Sequence, residues 1–336
     1  MFEYDTDVVM SSRIRLARNI KDIPFPSIID DESSLKVINI VKNTLIGNNS
    51  DKAGNFKEYY IGKLDVIERQ SLVEKHLISP DLSQNTKNGY VLIKDDNSVS
   101  IMVNEEDHVR IQCILKGLRL NDAWDIADRI DDLIEENTDY AFDEKIGYLT
   151  ACPTNVGTGL RASVMVHLPS LTITGQLNNI LNSVSKIGMA VRGLYGEGSQ
   201  VLGDIYQLSN QITLGQSEKE IIENIEGVVK QIIASERKAR SELYEKQKIQ
   251  LEDRVGRAFG LLSNAKVMTT KEYMSLISDV RLGSVLGILN VDINKIDEIT
   301  TNIQPGNLQK IFKEQLDPFV RDVKRAEYVT KQIKGN

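Results

Sequence analysis

Cysteine is scarce in this chain, with Cys113 and Cys152 the two among 336 residues. Two cysteines cannot frame a disulfide-stapled fold, so packed apolar side chains must carry the stability and a reducing compartment is expected. No apolar run approaches membrane-spanning length. The opening residues MFEYDTDVVM are acidic and have neither the basic start nor the apolar stretch of a secretory signal. The expectation is a soluble cytoplasmic protein without membrane association. An excess of positive charge is missing as well. Lys and Arg number 41 against 48 Asp and Glu, for a net charge of −7 and a pI near 5.3. A broad nucleic-acid-binding surface is therefore not expected, while a local basic pocket remains compatible with that balance. Internal repeats, low-complexity tracts and a Walker-type phosphate loop are all absent.

With 41% hydrophobic residues the chain can bury a core and form one large or two moderate domains. DVVMSSRIRLARNI, rich in β-branched residues and partly alternating, predicts a strand running into a charged turn. SVSIMVNEEDHVRIQCIL predicts two short strands around an acidic turn, with Val109, Ile111 and Cys113 on one face and Arg110 and Gln112 on the other. NDAWDIADRIDDLIEENTD predicts a helix capped by Asn121, with Trp124, Ala127, Ile130 and Ile134 as its apolar stripe. Leu177, Ile180, Leu181 and Val184 mark another helix, and the residues after it read as strand, glycine-rich loop, strand. A capping box, Ser217 with Glu220, opens a long charged helix running towards residue 250. Helical spacing dominates from there, Gly306 after Pro305 punctuates the last connection, and Leu316, Phe319, Val320 and Val323 form the expected core stripe of the final helix. The fold expected is α+β followed by an all-helical C-terminal domain.

CPTNVGTGLRASVMVHLP poses the functional question. Its GTGLRA has the shape G-x-G-x-x-A, a relative of the dinucleotide fingerprint, but ASVMVHL reads as a strand where that fingerprint needs a helix. As a strand it puts Arg161, Ser163, Met165 and His167 on one face and Ala162, Val164, Val166 and Leu168 on the core face. Taken alone, Arg161 fits a surface arginine beside a turn slightly better than an anion ligand. The other arginines change the balance: Arg13 and Arg15 stand two apart, Arg110 opposes Val109 and Ile111, and Arg192 ends a strand before a glycine-rich loop. Guanidinium forks bind phosphate oxygens bidentately, so such an array can hold a polyphosphate without a lysine loop. Carboxylates complete the pattern, with Glu105, Glu106 and Asp107 in one turn and Glu197 shortly after Arg192.

SSRIRLAR, NEEDHVRI, CPTNVGTGLRASV and RGLYGEG resemble, in that order, motifs of the phosphagen kinases, over roughly residues 8–240. Those kinases carry a helical domain ahead of the first motif, whereas here about ten residues precede it and a different helical region follows. That arrangement resembles the bacterial branch of the family that phosphorylates arginine side chains of proteins, with LVEKHLISP, SDVRLG and RDVKRA extending the match to the C-terminus.

The resemblance implies an antiparallel sheet flanked by helices in a catalytic domain, 8–240, and a helical C-terminal domain, 241–336. It implies that Ser11, Ser12, Arg13, Ile14 and Arg15 line the phosphates of ATP. Arg110, Arg161, Ala162, Ser163, Val164, Met165, Arg192, Gly193, Leu194, Tyr195, Gly196 and Glu197 would complete the nucleotide site, with His76 near the base or ribose. Glu106 and Glu197 match the two catalytic carboxylates and Cys152 the cysteine beside the acceptor guanidinium; Mg²⁺ would be held chiefly by ATP. RDVKRA matches a phosphoarginine-binding motif, giving Arg321, Asp322, Arg325 and Ala326 a product-sensing role. The same resemblance implies a zinc-binding activator protein, links to a Clp protease system and stress response, and a homodimer or larger assembly. A kinase of a small free guanidine and a phosphoarginine-binding adaptor without catalysis are the competing readings.

Overall fold

The computed structural model describes residues 2–48, 53–193 and 202–334. Among these, eight strands form one sheet in the order β2-β3-β4-β5-β1-β8-β10-β9. They are β1 (Val9–Arg18), β2 (Phe56–Tyr60), β3 (Tyr90–Lys94), β4 (Val99–Val103), β5 (Val109–Lys116), β8 (Leu160–His167), β9 (Met189–Gly193) and β10 (Ile205–Asn210). Two short strands, β6 (Phe142–Asp143) and β7 (Gly147–Tyr148), pair as a separate hairpin. The pairs β2–β3, β3–β4, β4–β5 and β5–β1 run antiparallel. The chain divides into two compact units, the first comprising Met1–Val164, Ser185–Ala190 and Leu208–Val229, the second Met165–Val184, Val191–Gln207 and Lys230–Asn336.

In the first unit, period-two alternation decides which side chains meet. Ile14 and Leu16 on β1 and Val109, Ile111 and Cys113 on β5 are fully buried. Helix Leu120–Glu135 packs against both strands, burying Ala123, Ala127, Ile130, Leu133 and Ile134. Each large side chain so buried contributes about 1.5–3 kcal/mol. Trp124 is half-buried. Asn121 is not the cap: the helix begins one residue earlier, and the Asn121 amide instead donates to Glu226 at 2.8 Å. On the other side of β3 and β4, Ile61, Leu77, Ile78 and Leu82 close over Val91, Ile93 and Met102.

In the second unit the helices run Lys248–Asn264, Thr270–Val285, Ile293–Asn302, Pro305–Phe312 and Pro318–Ile333. The long helix entering it, Glu218–Lys246, starts with the expected reciprocal Ser217–Glu220 box but stops at Lys246. Gly306 does not punctuate a connection, because Pro305 occupies the first turn of a helix and Gly306 lies inside it. The final helix turns a different face inward than its apolar spacing suggests. Phe319 is 66% and Val320 37% exposed, while Arg325, Ala326, Val329 and Ile333 are buried. Arg325 fixes that rotation: its Nε donates to Ile303 O at 3.0 Å, its Nη1 to Met268 O at 2.8 Å, and it pairs with Asp322. A buried guanidinium with carbonyl and carboxylate acceptors is tolerated where an unpartnered one is not.

Candidate active site

Strand register builds the site. In the antiparallel β1–β5 pair, Arg13 faces Ile114, Arg15 faces Gln112 and Ala17 faces Arg110, so Arg13, Arg15 and Arg110 share one face of the sheet. Arg13 Nε donates to Ser163 Oγ at 3.3 Å, which brings β8 and the Arg161 face alongside. Gln112 anchors the neighbouring floor, donating to His76 O at 2.7 Å and Ser100 Oγ at 3.0 Å.

Like charges held together show in their proton affinities. Burial, then the charges of Arg161 and Arg110, lowers the Arg13 guanidinium from its ordinary value to about 10. Burial acts in the same direction on Arg15, followed by Arg13, Arg110 and Arg161, with Glu105 opposing. Arg15 Nε is buried and has no hydrogen-bond partner among the described residues. His76, in the left-handed region at φ 58°, is pushed down to about 4 by burial and by Arg13 and Arg15, so it faces the cluster neutral. Four guanidinium groups on one face, mutually repelling, form a receptor for a polyanion.

Carboxylates border the cluster at the turn after β4. Arg110 Nη1 reaches Glu105 at 2.7 Å and Nη2 reaches Glu106 at 2.9 Å. Glu105 is nearly buried and also accepts from Ser79 Oγ at 2.6 Å. Glu106 is the exposed member, with 42% of its side chain open to solvent. Its pKa lies above the ordinary glutamate value because burial outweighs Arg110, with Asp107, Glu105 and Asp81 adding to the rise. Nothing in the sequence singles out Glu105 from its acidic neighbours; the register of Arg110 beside the turn reveals it.

The loop before β8 is set by glycines that cannot be replaced. Gly157 has φ +113° and a Cβ there would lie 2.3 Å from Thr213 O, while Gly159 has φ +65° and a Cβ would meet Arg18 Nη1 at 2.5 Å. Arg18, fully buried, donates to Asp131, Ala17 O and Thr158 O and lies over the Tyr148 ring at 3.6 Å. Thr213 Oγ1 ties down Thr154 O and Val156 O. Cys152 sits at the head of this loop, half-buried, with Sγ 3.0 Å from Thr154 Oγ1.

The expected residues separate into groups. Ser11, Arg13, Arg15, Arg110, Arg161, Ser163 and the ring of His76 gather at or beside the cluster. Ser12, Ile14, Ala162 and Val164 are fully buried on the alternate positions of their strands. The Ser12 hydroxyl is committed, donating to Gly117 O at 2.8 Å and accepting from Arg119 N at 2.9 Å, so its side chain anchors the segment after β5. Met165, Arg192 and Gly193 belong to the second unit. Leu194, Tyr195, Gly196 and Glu197 lie outside the described residues. In the second unit, Arg325 and Ala326 of the expected phosphoarginine motif are buried, and half-buried Arg321 has an Nε without a hydrogen-bond partner among the described residues.

A guanidinium-lined sheet face bordered by carboxylates suits phosphoryl chemistry, and the chain's relatives are phosphotransferases of guanidino compounds. Residues 36–239 match the family of ATP:guanido phosphotransferase C-terminal catalytic domains. A lombricine kinase crystal structure superposes with a TM-score of 0.61 at 26% identity, covering 70% of this chain and 67% of that one. The duplicated taurocyamine kinase from Schistosoma mansoni shares the fold, with a TM-score of 0.62 at 23% identity over 82% of this chain and 40% of that one.

Within that class the remainder of the chain is decisive. Residues 248–336 match the protein-arginine kinase McsB C-terminal domain. A protein-arginine kinase from Caldanaerobacter subterraneus subsp. tengcongensis is 72% identical over 99% of both chains. One from Geobacillus sp. (strain WCH70) is 49% identical over 98% of this chain and 91% of its own. The chain belongs to the protein-arginine kinase family of ATP:guanido phosphotransferases.

Proposed function

We propose that Arg13, Arg15, Arg110 and Arg161 receive the phosphates of ATP and that Glu106 receives the acceptor guanidinium of a protein arginine. The observation carrying this is the shared face of the four guanidinium groups, with Arg13 lowered to about 10, beside a carboxylate whose pKa is raised. An arginine side chain is a poor nucleophile because its lone pairs are delocalised and its pKa exceeds about 12. Glu106 orients one nitrogen and takes its proton as the N–P bond forms and the bond from the γ-phosphorus to the ADP oxygen breaks. A base with an elevated pKa transfers protons more effectively near neutral pH. The arginines hold the phosphates in line, and such positioning contributes about 7–11 kcal/mol when geometry is right. Mg²⁺ accompanying ATP would add further charge neutralisation. The residues present fit that arrangement, since the cluster offers cationic donors to phosphate rather than carboxylate ligands to a metal.

In this reading catalysis lies in residues 8–240 and product sensing in 241–336. Arg321 supplies the free donor for a phosphoarginine, since Arg325 is already committed to carbonyls and Asp322. Cytoplasmic location, a homodimeric or larger state, a zinc-binding activator and delivery of marked proteins to a Clp-type protease under stress are extensions of the same family reading.

The deciding experiment incubates the protein with Mg-ATP and either an arginine-rich protein or free arginine. Acid-labile, alkali-stable phosphate on the protein is the expected result. Phosphate on free arginine alone, or transfer to neither, overturns the proposal.

A further inference from the structure

Behind Glu106 and Cys152 lies a buried polar knot that the chemistry above does not use. Asn19 is 1% exposed and Asp107 fully buried. Asn19 Nδ2 donates to Asp107 Oδ1 at 2.7 Å and to Leu149 O at 3.0 Å, while its Oδ1 accepts from His108 N at 2.9 Å. Asp107 Oδ1 accepts a second hydrogen bond, from Ala151 N at 2.7 Å. His108 continues the knot: its Nδ1 accepts from Ile20 N at 3.0 Å, so Nε2 carries the proton donated to Pro24 O at 2.8 Å. Burial lowers the His108 pKa, in keeping with a neutral ring of that tautomer.

The knot connects neighbours of both acceptor-side groups. Asp107 follows Glu106 and Ala151 precedes Cys152, so one carboxylate oxygen links the two backbones. Glu106 stands at the exposed tip of the turn that the β4–β5 ladder closes at Val103 and Val109, whereas Cys152 lies on a loop outside the strands. We propose that Asn19 and Asp107 are positioning residues that tether the Glu106 turn to the Cys152 loop and so set the geometry in which the acceptor guanidinium is held. The inference rests on the reading of Glu106 and Cys152 as acceptor-side groups. Asp107 Oδ2 is buried without a hydrogen-bond partner among the described residues. An amide at that position keeps the oxygen that bonds Asn19 and Ala151, replaces the oxygen without a partner among the described residues, and removes the charge that adds to the rise of Glu106.

The test compares Asp107→Ala, Asp107→Asn and Asn19→Ser by acceptor kinetics, ADP affinity and the rate at which iodoacetamide alkylates Cys152, the other cysteine being buried. Asp107→Ala and Asn19→Ser are expected to lower kcat/KM for the protein acceptor roughly tenfold or more, as expected for misplacement of a reacting group. ADP affinity should stay within about threefold, Cys152 should alkylate several times faster, and Asp107→Asn should regain most of the rate. A purely structural role would lower the amount of active enzyme without separating acceptor kinetics from ADP affinity. Unchanged acceptor kinetics in Asp107→Ala, or an Asp107→Asn variant as impaired as the alanine, overturns the tether. If Asp107→Ala does not fold, Asn19→Ser decides the question by the same criteria. Should the unaltered protein transfer no phosphate, the catalytic reading fails, and the alkylation rates still decide whether the tether exists.

Discussion

Replacing Arg161 by methionine keeps the stem of the side chain and deletes its charge, which should stabilise the nucleotide-free protein while weakening its hold on ATP. The fall of Arg13 from the ordinary guanidinium value to about 10 corresponds to about 3 kcal/mol held against its charged form. Burial is the larger cause and survives the substitution; repulsion from Arg161, the next, does not. Arg15 is relieved in the same sense. A net gain of about 1 kcal/mol, a rise of about 1–2 °C in melting temperature, is expected for a chain of this size. A guanidinium with a folded pKa below its unfolded one costs stability at every pH below about 10, and the cost fades only as pH rises from there to the unfolded value. The entire penalty is therefore present at neutral pH. Loss of a charge-assisted phosphate contact, about 1.5–3 kcal/mol, should weaken Mg-ATP binding by roughly 10- to 100-fold. Thermal unfolding with and without Mg-ATP reads both effects. A variant less stable without nucleotide, yet showing the full ATP-induced shift, would refute the electrostatic argument.

Other substitutions probe separate parts of the molecule. Glu106→Gln should lower kcat by about 10²–10⁴ with ADP affinity retained, and near-normal turnover would remove Glu106 as the base. In the unaltered enzyme the acid limb of kcat/KM should lie above the ordinary glutamate range, since the Glu106 pKa is raised and the base acts deprotonated; a limb at or below 4.5 contradicts this. Asp131→Ala leaves the buried Arg18 guanidinium without its carboxylate, a loss of about 3–5 kcal/mol in urea unfolding, and a change under about 1 kcal/mol would show Arg18 to be adequately held by carbonyls. Arg321→Glu should abolish activation by added phosphoarginine while basal turnover persists, and intact activation would exclude Arg321 from product sensing.

Much of the fold was legible because its signals are local. Alternation in SSRIRLAR, VRIQC and LRASVMVH predicts strands on which Arg13, Arg15, Arg110 and Arg161 stand opposite apolar neighbours, and β1, β5 and β8 follow that parity, with Arg18 the exception, buried on the face of Ile14 and Leu16. Period two is a property of one extended chain and needs no partner to be read. Helix rotation was less legible. In Pro318–Ile333 the apolar spacing points to Phe319 and Val320, but burial follows Arg325, whose acceptors Met268 O and Ile303 O come from distant segments. Asn121 and Gly306 mislead for a related reason: caps and breaks are assigned from residue type, while the true ends depend on what the preceding chain packs against.

The sequence by itself determined the residue types, their parity on each strand and the motif order that marks the family. Tertiary structure decided which strands lie side by side, and therefore that Arg13, Arg15, Arg110 and Arg161 share one face while Ser12 turns away to anchor Gly117 and Arg119. It also decided that Glu105 joins Glu106 on Arg110, and that Asn19 meets Asp107 across 88 positions of sequence. The reason is that parity is fixed within a few residues of backbone, whereas adjacency and charge coupling are set by pairing between segments far apart in the chain.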